Sequence, residues 1–383
     1  MGMISSRKLS GIFLLSSIVV SAVLAVMLSL RSKGENKAVD GIPVNMKFSS
    51  LLSMTECDGY TVADVSNPWG EGILRRYILV PKTGEIPSTL PAGTVIRIPV
   101  ERMLLFSGVH AALFEELGTA EYIKAVCDAG YIYSPVTAYA IADGKVIDCG
   151  SSLDIDLERL AEASPEAVFT LPYENGGYGK LERVGVPLVE CADYMECSPL
   201  ACAEWMRFYG RLVGKGAEAD SVFNAVCYDY ESLCFIAGRD AVRPKLMCEL
   251  KSSSAWYVPA GGSTMGRMYA DAGATYLFSE CEGSGSVPLS FEVVLDKAAD
   301  ADIWLMKYNS PVDKTYSSLL DEYGGYAHFG PFRKQCIYAC NTKWKRIFEE
   351  SSFHPEKLLK ELVALFHPSM FPDYRPKYYE KMQ

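Results

Sequence analysis

The chain has 383 residues, of which 49% are hydrophobic and 22% are charged, a balance typical of a globular protein long enough to form two cores. The formal net charge is −10, whereas a nucleic-acid-binding surface needs an excess of Lys and Arg. The composition therefore favours a two-domain globular protein and argues against nucleic acid as a partner.

The N-terminus carries the clearest local signal. Arg7 and Lys8 precede an uncharged run at residues 9–30, which is long enough to span a bilayer and longer than the apolar part of a typical signal peptide. A buried core helix is a poor alternative, because the run has no polar face. Residues 1–30 are therefore predicted to be a signal peptide or an N-terminal membrane anchor. We expect an exported protein of the periplasm or cell envelope.

Twelve cysteines occur in the sequence. None forms a CxxC pair, and their spacings fit no zinc-site pattern. An exported protein can form disulfides, but several cysteines, such as Cys127 and Cys248, lie in apolar stretches where we expect small buried hydrophobes. We therefore predict no metal site, and the sequence leaves the disulfide pairing open.

The coarse organisation changes along the chain. Residues 31–57 are predicted to be a polar tether, and two strand-like segments follow at 75–81 and 94–99. After them, short apolar strands alternate with amphipathic helices. This alternation is typical of an α/β fold.

The alternation occurs twice with matching loops. A strand at 103–106 and a strand at 255–258 are each followed by a loop rich in Gly or Ser and then by a helix. Later in each half, a helix carries a glutamate, Glu158 or Glu292, and these two lie about 134 residues apart. The sequence therefore predicts an internal structural repeat. The alternative is that any two α/β halves look alike at this level of detail.

Two helices are predicted between the halves, at 201–213 and 218–237. The second has a broad apolar stripe that suits packing against both lobes. We therefore expect an N-terminal lobe at 58–196, linking helices at 197–238, and a C-terminal lobe with a helical end at 239–383.

Several short phrases follow one another in a characteristic order. They are PVER at 99–102, VHAAL at 109–113, CADYME at 191–196, AEWM at 203–206, WYVP at 256–259 with GGS at 261–263, and FHP at 366–368 with PD at 372–373. This set, over roughly residues 70–380, resembles the helix-linked solute-binding proteins of ABC importers for siderophores, haem and cobalamin. The chain departs from them at Ala201-Cys202, where a Gly-Arg pair is usual. It also lacks a lipid-anchoring cysteine, since the first cysteine is Cys57.

The resemblance implies a fold and a role. The fold is α/β, with two Rossmann-like lobes joined by a long helix and a ligand cleft between them. The role is to capture an iron-siderophore, haem or cobalamin-like chelate and to deliver it to the membrane subunits of an ABC importer. We expect a monomer with no intrinsic cofactor, whose cargo is an iron or cobalt chelate. The alternative is a membrane-anchored haem or metal-chelate carrier or chaperone that works without a transporter.

The predicted ligand site follows from where open α/β sheets bind ligands, at the carboxyl ends of their strands. Glycines there let backbone approach a bulky ligand, helix N-termini offer free N–H groups, and aromatic rings supply flat apolar area. The predicted ligand-binding residues are Ser107, Gly108, His110, Tyr173, Glu174, Asn175, Trp256, Tyr257, Gly261, Gly262 and Ser263. Strand alternation buries either Trp256 or Tyr257. His110 fits a hydrogen-bonded structural histidine as well as it fits a cleft contact.

Two glutamates are candidates for docking to the importer. The resemblance implies that one exposed glutamate on each lobe pairs with arginines of the membrane subunits, and Glu158 and Glu292 match by position. Two anionic points on a rigid body set the register and the encounter rate. The alternative is that both are ordinary solvated helix residues.

Catalytic motifs do not support an enzyme. Residues 262–266 (GSTMG) place the second glycine one residue too late for a nucleophile elbow. Residues 176–181 (GGYGKL) lack the Ser or Thr that binds magnesium in a phosphate loop, and there is no HExxH. We therefore expect a binding protein without catalytic residues, and an exported enzyme on the same scaffold is the least favoured alternative.

Overall fold

A twisted N-terminal sheet begins the part of the chain that the computed structural model describes, residues 39–174 and 177–383. Its five strands run in the order β1-β2-β3-β4-β5 and are antiparallel except for the parallel pair β4–β5. They are β1 (Ile42–Val44), β2 (Leu52–Cys57), β3 (Tyr60–Ser66), β4 (Ile73–Pro81) and β5 (Thr94–Ile98). The predicted tether at 31–57 therefore contains two strands. Leu52 and Met54 alternate into the core, as a half-buried strand requires.

The N-terminal lobe is built on a parallel sheet in the order β12-β11-β6-β7-β8. The strands are β6 (Met103–Leu105), β7 (Ile123–Val126), β8 (Ile147–Asp148), β11 (Ala167–Thr170) and β12 (Leu188–Glu190), and a small hairpin joins β9 (Gly150–Ser151) to β10 (Asp154–Ile155). The helices are α1 (Gly108–Glu116), α2 (Pro135–Ala142) and α3 (Leu157–Ala163). The short all-apolar β6 is buried along its whole length, as a central parallel strand covered on both faces must be.

Three helices connect the lobes: α4 (Pro199–Glu204), α5 (Met206–Leu212) and α6 (Gly216–Ala237). The single helix predicted at 201–213 is thus interrupted at Trp205, whose buried indole nitrogen donates to Glu196 over 3.0 Å. The long α6 buries the predicted apolar stripe, including Phe223, Val226 and Tyr230.

The C-terminal lobe has a second sheet in the order β16-β13-β18-β19-β20, parallel except for β20. Its strands are β13 (Lys245–Cys248), β16 (Thr275–Tyr276), β18 (Ile303–Tyr308), β19 (Ile337–Asn341) and β20 (Glu380–Lys381). An antiparallel sheet beside it contains β14 (Lys251–Ser252), β15 (Ala255–Pro259) and β17 (Ser286–Leu289). The helices are α7 (Thr264–Asp271), α8 (Phe291–Ala298), α9 (Tyr316–Glu322), α10 (Gly330–Arg333), α11 (Ile347–Ser351) and α12 (Pro355–Phe366).

The two parallel sheets repeat one topology. In the N-terminal sheet the first strand, β6, lies between β7 and β11. In the C-terminal sheet the first strand, β13, lies in the same way between β16 and β18. The α/β fold with two lobes is therefore confirmed. The register of the predicted repeat is wrong, however, because residues 255–258 form β15 in the antiparallel sheet. The counterpart of β6 is β13, which is one residue shorter than β15.

Two further predictions concern the membrane and the cysteines. Within residues 39–174 and 177–383, no helix has the length and apolarity needed to cross a membrane. The predicted anchor at 1–30 lies outside these residues. The twelve cysteines are free thiols in this structure, and Cys127 and Cys248 are buried as expected.

Candidate ligand cleft

The strand order reverses at β6, whose neighbours are β7 and β11, and such a switch point opens a crevice at the carboxyl ends of the strands. Ser107 lies at this edge, where its hydroxyl caps α1 by accepting a hydrogen bond from the Val109 amide at 3.3 Å. The loop after β11 leads to Tyr173. The sheet topology thus places Ser107 and Tyr173 at the same crevice, as predicted.

A groove of about 640 Å³ opens beside this crevice in the N-terminal lobe. Its walls are the β9–β10 hairpin and residues 173–174 and 177–181, and it includes the predicted residues Tyr173 and Glu174. The rings of Tyr173 and Tyr178 lie 5.6 Å apart, and at the rim Lys180 donates to Asp154 at 2.9 Å. The groove therefore offers an aromatic wall and, at its rim, a lysine paired with an aspartate. The predicted Asn175 lies outside the described residues.

Exposed aromatic side chains mark the carboxyl edges of both sheets. In the N-terminal lobe, Tyr131 follows β7, Tyr173 follows β11 and Tyr194 follows β12. In the C-terminal lobe, Trp344 and Phe348 follow β19. Large apolar side chains left in solvent at strand ends are typical of binding surfaces. Sequence reasoning found only Tyr173, although Tyr131 and Tyr194 each stand within about five residues of a strand end.

Trp256 does not belong to this edge. Its side chain is 0% exposed and packs against Trp304, Tyr326 and Phe329, with ring centroids 5.5 to 5.8 Å apart. Its indole nitrogen donates to the Cys248 carbonyl at 2.9 Å. This placement corrects the prediction of a ligand contact. Its neighbour Tyr257 points the other way and is 50% exposed, as strand alternation requires.

The predicted glycines Gly261 and Gly262 pack closely against backbone carbonyl groups of the chain. A Cβ on Gly261 would lie 1.8 Å from the Ser279 carbonyl oxygen, and one on Gly262 would lie 2.9 Å from that of Gly283. Ser263 is buried and caps α7 by accepting from the Gly266 amide at 3.1 Å. These three residues therefore form a tight turn. The space beside the two glycines, where we expected a ligand, is occupied by backbone of the chain itself.

Gly108 fits against the C-terminal lobe. A Cβ there would lie 2.3 Å from the Oε1 atom of Glu349, which comes from α11, and 3.1 Å from the Tyr131 carbonyl oxygen. The same Oε1 accepts a hydrogen bond from the Tyr133 amide at 2.8 Å. Burial raises the pKa of Glu349 to about 7. Gly108, which we predicted to contact a ligand, is therefore part of the contact between α1 and α11.

A second contact joins the same elements. His354 donates through Nε2 to the Glu116 carboxylate of α1 at 2.6 Å and through Nδ1 to the Glu356 carboxylate at 3.0 Å. Desolvation lowers the pKa of His354, but the hydrogen bonds to the two carboxylates outweigh it and raise the pKa to about 9. The C-terminal helices thus hold the N-terminal lobe through a buried carboxylate and an ionic contact.

His110 lies beneath the cleft surface. It is 3% exposed, and its Nε2 atom is 3.1 Å from Oδ1 of Asp193, which also accepts from the Tyr209 hydroxyl at 2.6 Å. Its ring packs on Tyr209 and Phe353. The structural interpretation of His110 therefore replaces the predicted cleft contact.

The acidic residues of the shared phrases hold the N-terminal sheet in place. Glu196 accepts hydrogen bonds from the amides of Ser50 and Leu51 at 3.1 and 3.0 Å. Glu204 accepts from three successive amides at residues 47–49, each at 2.8 Å. Charged acceptors bonded to several amides stabilise a buried turn strongly. Glu196 and Glu204 therefore act in folding.

The two docking candidates occupy equivalent positions. Glu158 and Glu292 are both exposed and are each the second residue of a helix, α3 or α8. The helices are capped by the side chains of Asp156 and Ser290. Bonding to its own amide and to the Ser290 hydroxyl lowers the pKa of Glu292, so it is ionised at neutral pH. The structure brings each glutamate to the same place on its lobe, and pairing with an importer stays a prediction.

Comparison with known proteins agrees with this architecture. A family model described as periplasmic binding protein matches residues 108–328. The chain is 22% identical to an uncharacterized lipoprotein of Methanocaldococcus jannaschii, over 98% of this chain and 96% of that protein.

Three solved structures are similar in fold. One is an ABC-type Fe3+-hydroxamate transport system from Saccharomonospora viridis, with TM-score 0.55 and 16% identity over 70% of this chain and 94% of that one. Another is the periplasmic heme-binding protein RhuT from Roseiflexus sp. RS-1, with TM-score 0.52 and 18% identity over 70% and 100%. The third is the periplasmic vitamin B12-binding protein BtuF of Vibrio cholerae, with TM-score 0.51 and 14% identity over 71% and 99%. At these identities the likeness concerns the fold.

Proposed function

Because the chain belongs to the periplasmic binding protein family, we propose that it is the substrate-binding component of an ABC importer and that its cargo is a metal chelate. Iron siderophores, haem and cobalamin-like corrinoids are the cargo classes named for proteins of similar fold. The lipoprotein name of its relative supports a place in the cell envelope. The role is stoichiometric capture without turnover.

The exposed aromatic side chains at the carboxyl edges of the two sheets carry this proposal. Tyr131, Tyr173 and Tyr194 on one lobe and Trp344 and Phe348 on the other offer flat apolar surfaces. Such surfaces suit a macrocycle or an aromatic chelate. A chelate whose own donors already fill the coordination of the metal needs no protein ligand at this edge.

The first experiment is a calorimetric titration of the full chain with haemin, cyanocobalamin and a panel of ferric siderophores. We expect one of these chelates to bind with one-to-one stoichiometry and a dissociation constant below about 1 µM. The iron-free siderophores and metal-free porphyrin are the matched controls for recognition of the metal-bound form. Failure of every chelate to bind would remove the proposed cargo class.

The importer contact can be tested separately. We expect Glu158→Ala with Glu292→Ala to weaken binding of the cargo-loaded protein to the purified importer by about tenfold, mainly through slower association, because two charges on the contacting face are lost. Surface plasmon resonance measures both rates. Glu162→Ala with Asp296→Ala, on the same two helices, is the matched control for charge. Equal effects of the two pairs would contradict the assignment.

A further inference from the structure

Three potential metal ligands of different chemistry meet inside the N-terminal lobe. His110 comes from the first turn of α1, and Cys191 and Asp193 follow the end of β12. One ligand atom from each lies within 4.8 Å of the other two. Within residues 39–174 and 177–383, this is the one group of at least three His, Cys, Asp or Glu side chains with such geometry.

The hydrogen bonds at this cluster are incomplete. The imidazole of His110 is buried, yet its Nδ1 atom has no hydrogen-bond partner. The Cys191 thiol donates to the Val189 carbonyl oxygen at 3.5 Å and also interacts with the side chains of His110 and Tyr209. Buried polar atoms are almost always paired, so an unpaired one calls for an explanation, and a bound ion would supply one.

The donor set fits a borderline-soft divalent cation. Zinc in proteins is bound by thiolate sulfur, imidazole nitrogen and carboxylate oxygen in tetrahedral sites. The Tyr209 hydroxyl, which donates to Asp193 at 2.6 Å, would hold the carboxylate in place as an outer hydrogen bond does in such sites. The set contains three protein ligands, and Cys191 and Asp193 are 1% and 5% exposed. The three side chains therefore lie below the surface.

We propose that His110, Cys191 and Asp193 form a binding site for a divalent cation of the zinc type, buried in the N-terminal lobe and separate from the chelate cleft. The ion would tie the start of α1 to the segment that leads into α4 and α5. This inference does not depend on the proposed cargo or importer. It assigns a protein-bound ion to a chain whose cysteine spacings show no metal-site pattern.

Cobalt(II) is a suitable spectroscopic probe, because a cobalt–thiolate bond gives an intense near-ultraviolet absorption band. We expect the metal-free full chain to bind one equivalent of Co²⁺ with this band, and Zn²⁺ to abolish it by displacement. Cys191→Ser should lose the band, and His110→Asn should weaken Co²⁺ binding at least tenfold. Cys202→Ser, another buried cysteine outside the cluster, should keep both. Wild-type protein without the band, or Cys191→Ser with an unchanged band, would overturn the proposal.

A second measurement covers variants that do not fold. Crystals of the wild-type protein grown with Zn²⁺ should show an anomalous scattering peak at the zinc edge, lying between the three side chains. Zn²⁺ should also raise the thermal midpoint of the wild type and of Cys202→Ser. A zinc-soaked crystal without a peak at this position would contradict the site, whatever the behaviour of the variants.

Discussion

Trp256→Ala should destabilise the protein by about 3–5 kcal/mol, because it removes a fully buried indole from a cluster of four aromatic rings and leaves a cavity. The neighbouring Tyr257→Ala should change stability by no more than about 0.5 kcal/mol, since that ring is half exposed. Urea denaturation followed by circular dichroism measures both values. Because the two residues are adjacent on β15, the pair separates core packing from strand propensity.

A second substitution of Trp256 tests where the ligand cleft lies. Trp256→Phe keeps an aromatic ring in the cluster and should leave chelate affinity unchanged. If Trp256→Phe lowered chelate affinity without lowering stability, Trp256 would contact the ligand as the sequence predicted. That result would contradict its buried placement.

Gly108→Ala should destabilise the contact between α1 and α11 by about 1–3 kcal/mol, the usual cost of overpacking. The new methyl group would lie 2.3 Å from the Glu349 carboxylate and 3.1 Å from the Tyr131 carbonyl oxygen, and the second of these is backbone and yields little. Gly130→Ala in the adjoining loop is the matched control, since nothing lies within 4 Å of its Cβ position.

A double-mutant cycle locates the source of this effect. In the background of Glu349→Ala, the cost of Gly108→Ala should fall, because the carboxylate that meets the methyl group is gone. The free energy of unfolding from urea titration measures all four proteins. Additive effects of the two substitutions would show that the residues do not touch.

Much of the architecture followed from the sequence. The alternation of short apolar strands with amphipathic helices predicted two α/β lobes, and the stripe on α6 predicted the linking helix. The repeat was misaligned because β13 offers only three apolar residues, Leu246 to Cys248, between Lys245 and Glu249. The longer run at 255–258 has the stronger strand pattern, although it pairs with β17 in the antiparallel sheet.

The candidate site was harder to predict, because one residue pattern serves two purposes. A glycine that admits a ligand and one that admits a neighbouring backbone look the same in sequence, and Gly261 and Gly262 prove to be of the second kind. Within the shared phrases, Glu196 and Glu204 accept hydrogen bonds from amides of the earlier segment at 47–51. Tyr131 and Tyr194 are identified as candidates only once the structure shows where β7 and β12 end.

The most direct test of chelate capture between the lobes is the affinity of two matched pairs of aromatic substitutions. Tyr194→Ala with Trp344→Ala removes one exposed ring from the carboxyl edge of each sheet, and Tyr228→Ala with Phe235→Ala removes two equally exposed rings from α6. The account predicts that the first pair weakens binding of the chelate identified by calorimetry at least about tenfold and that the second pair leaves it unchanged. Equal affinity of the two double variants would contradict a binding site at this edge of the lobes.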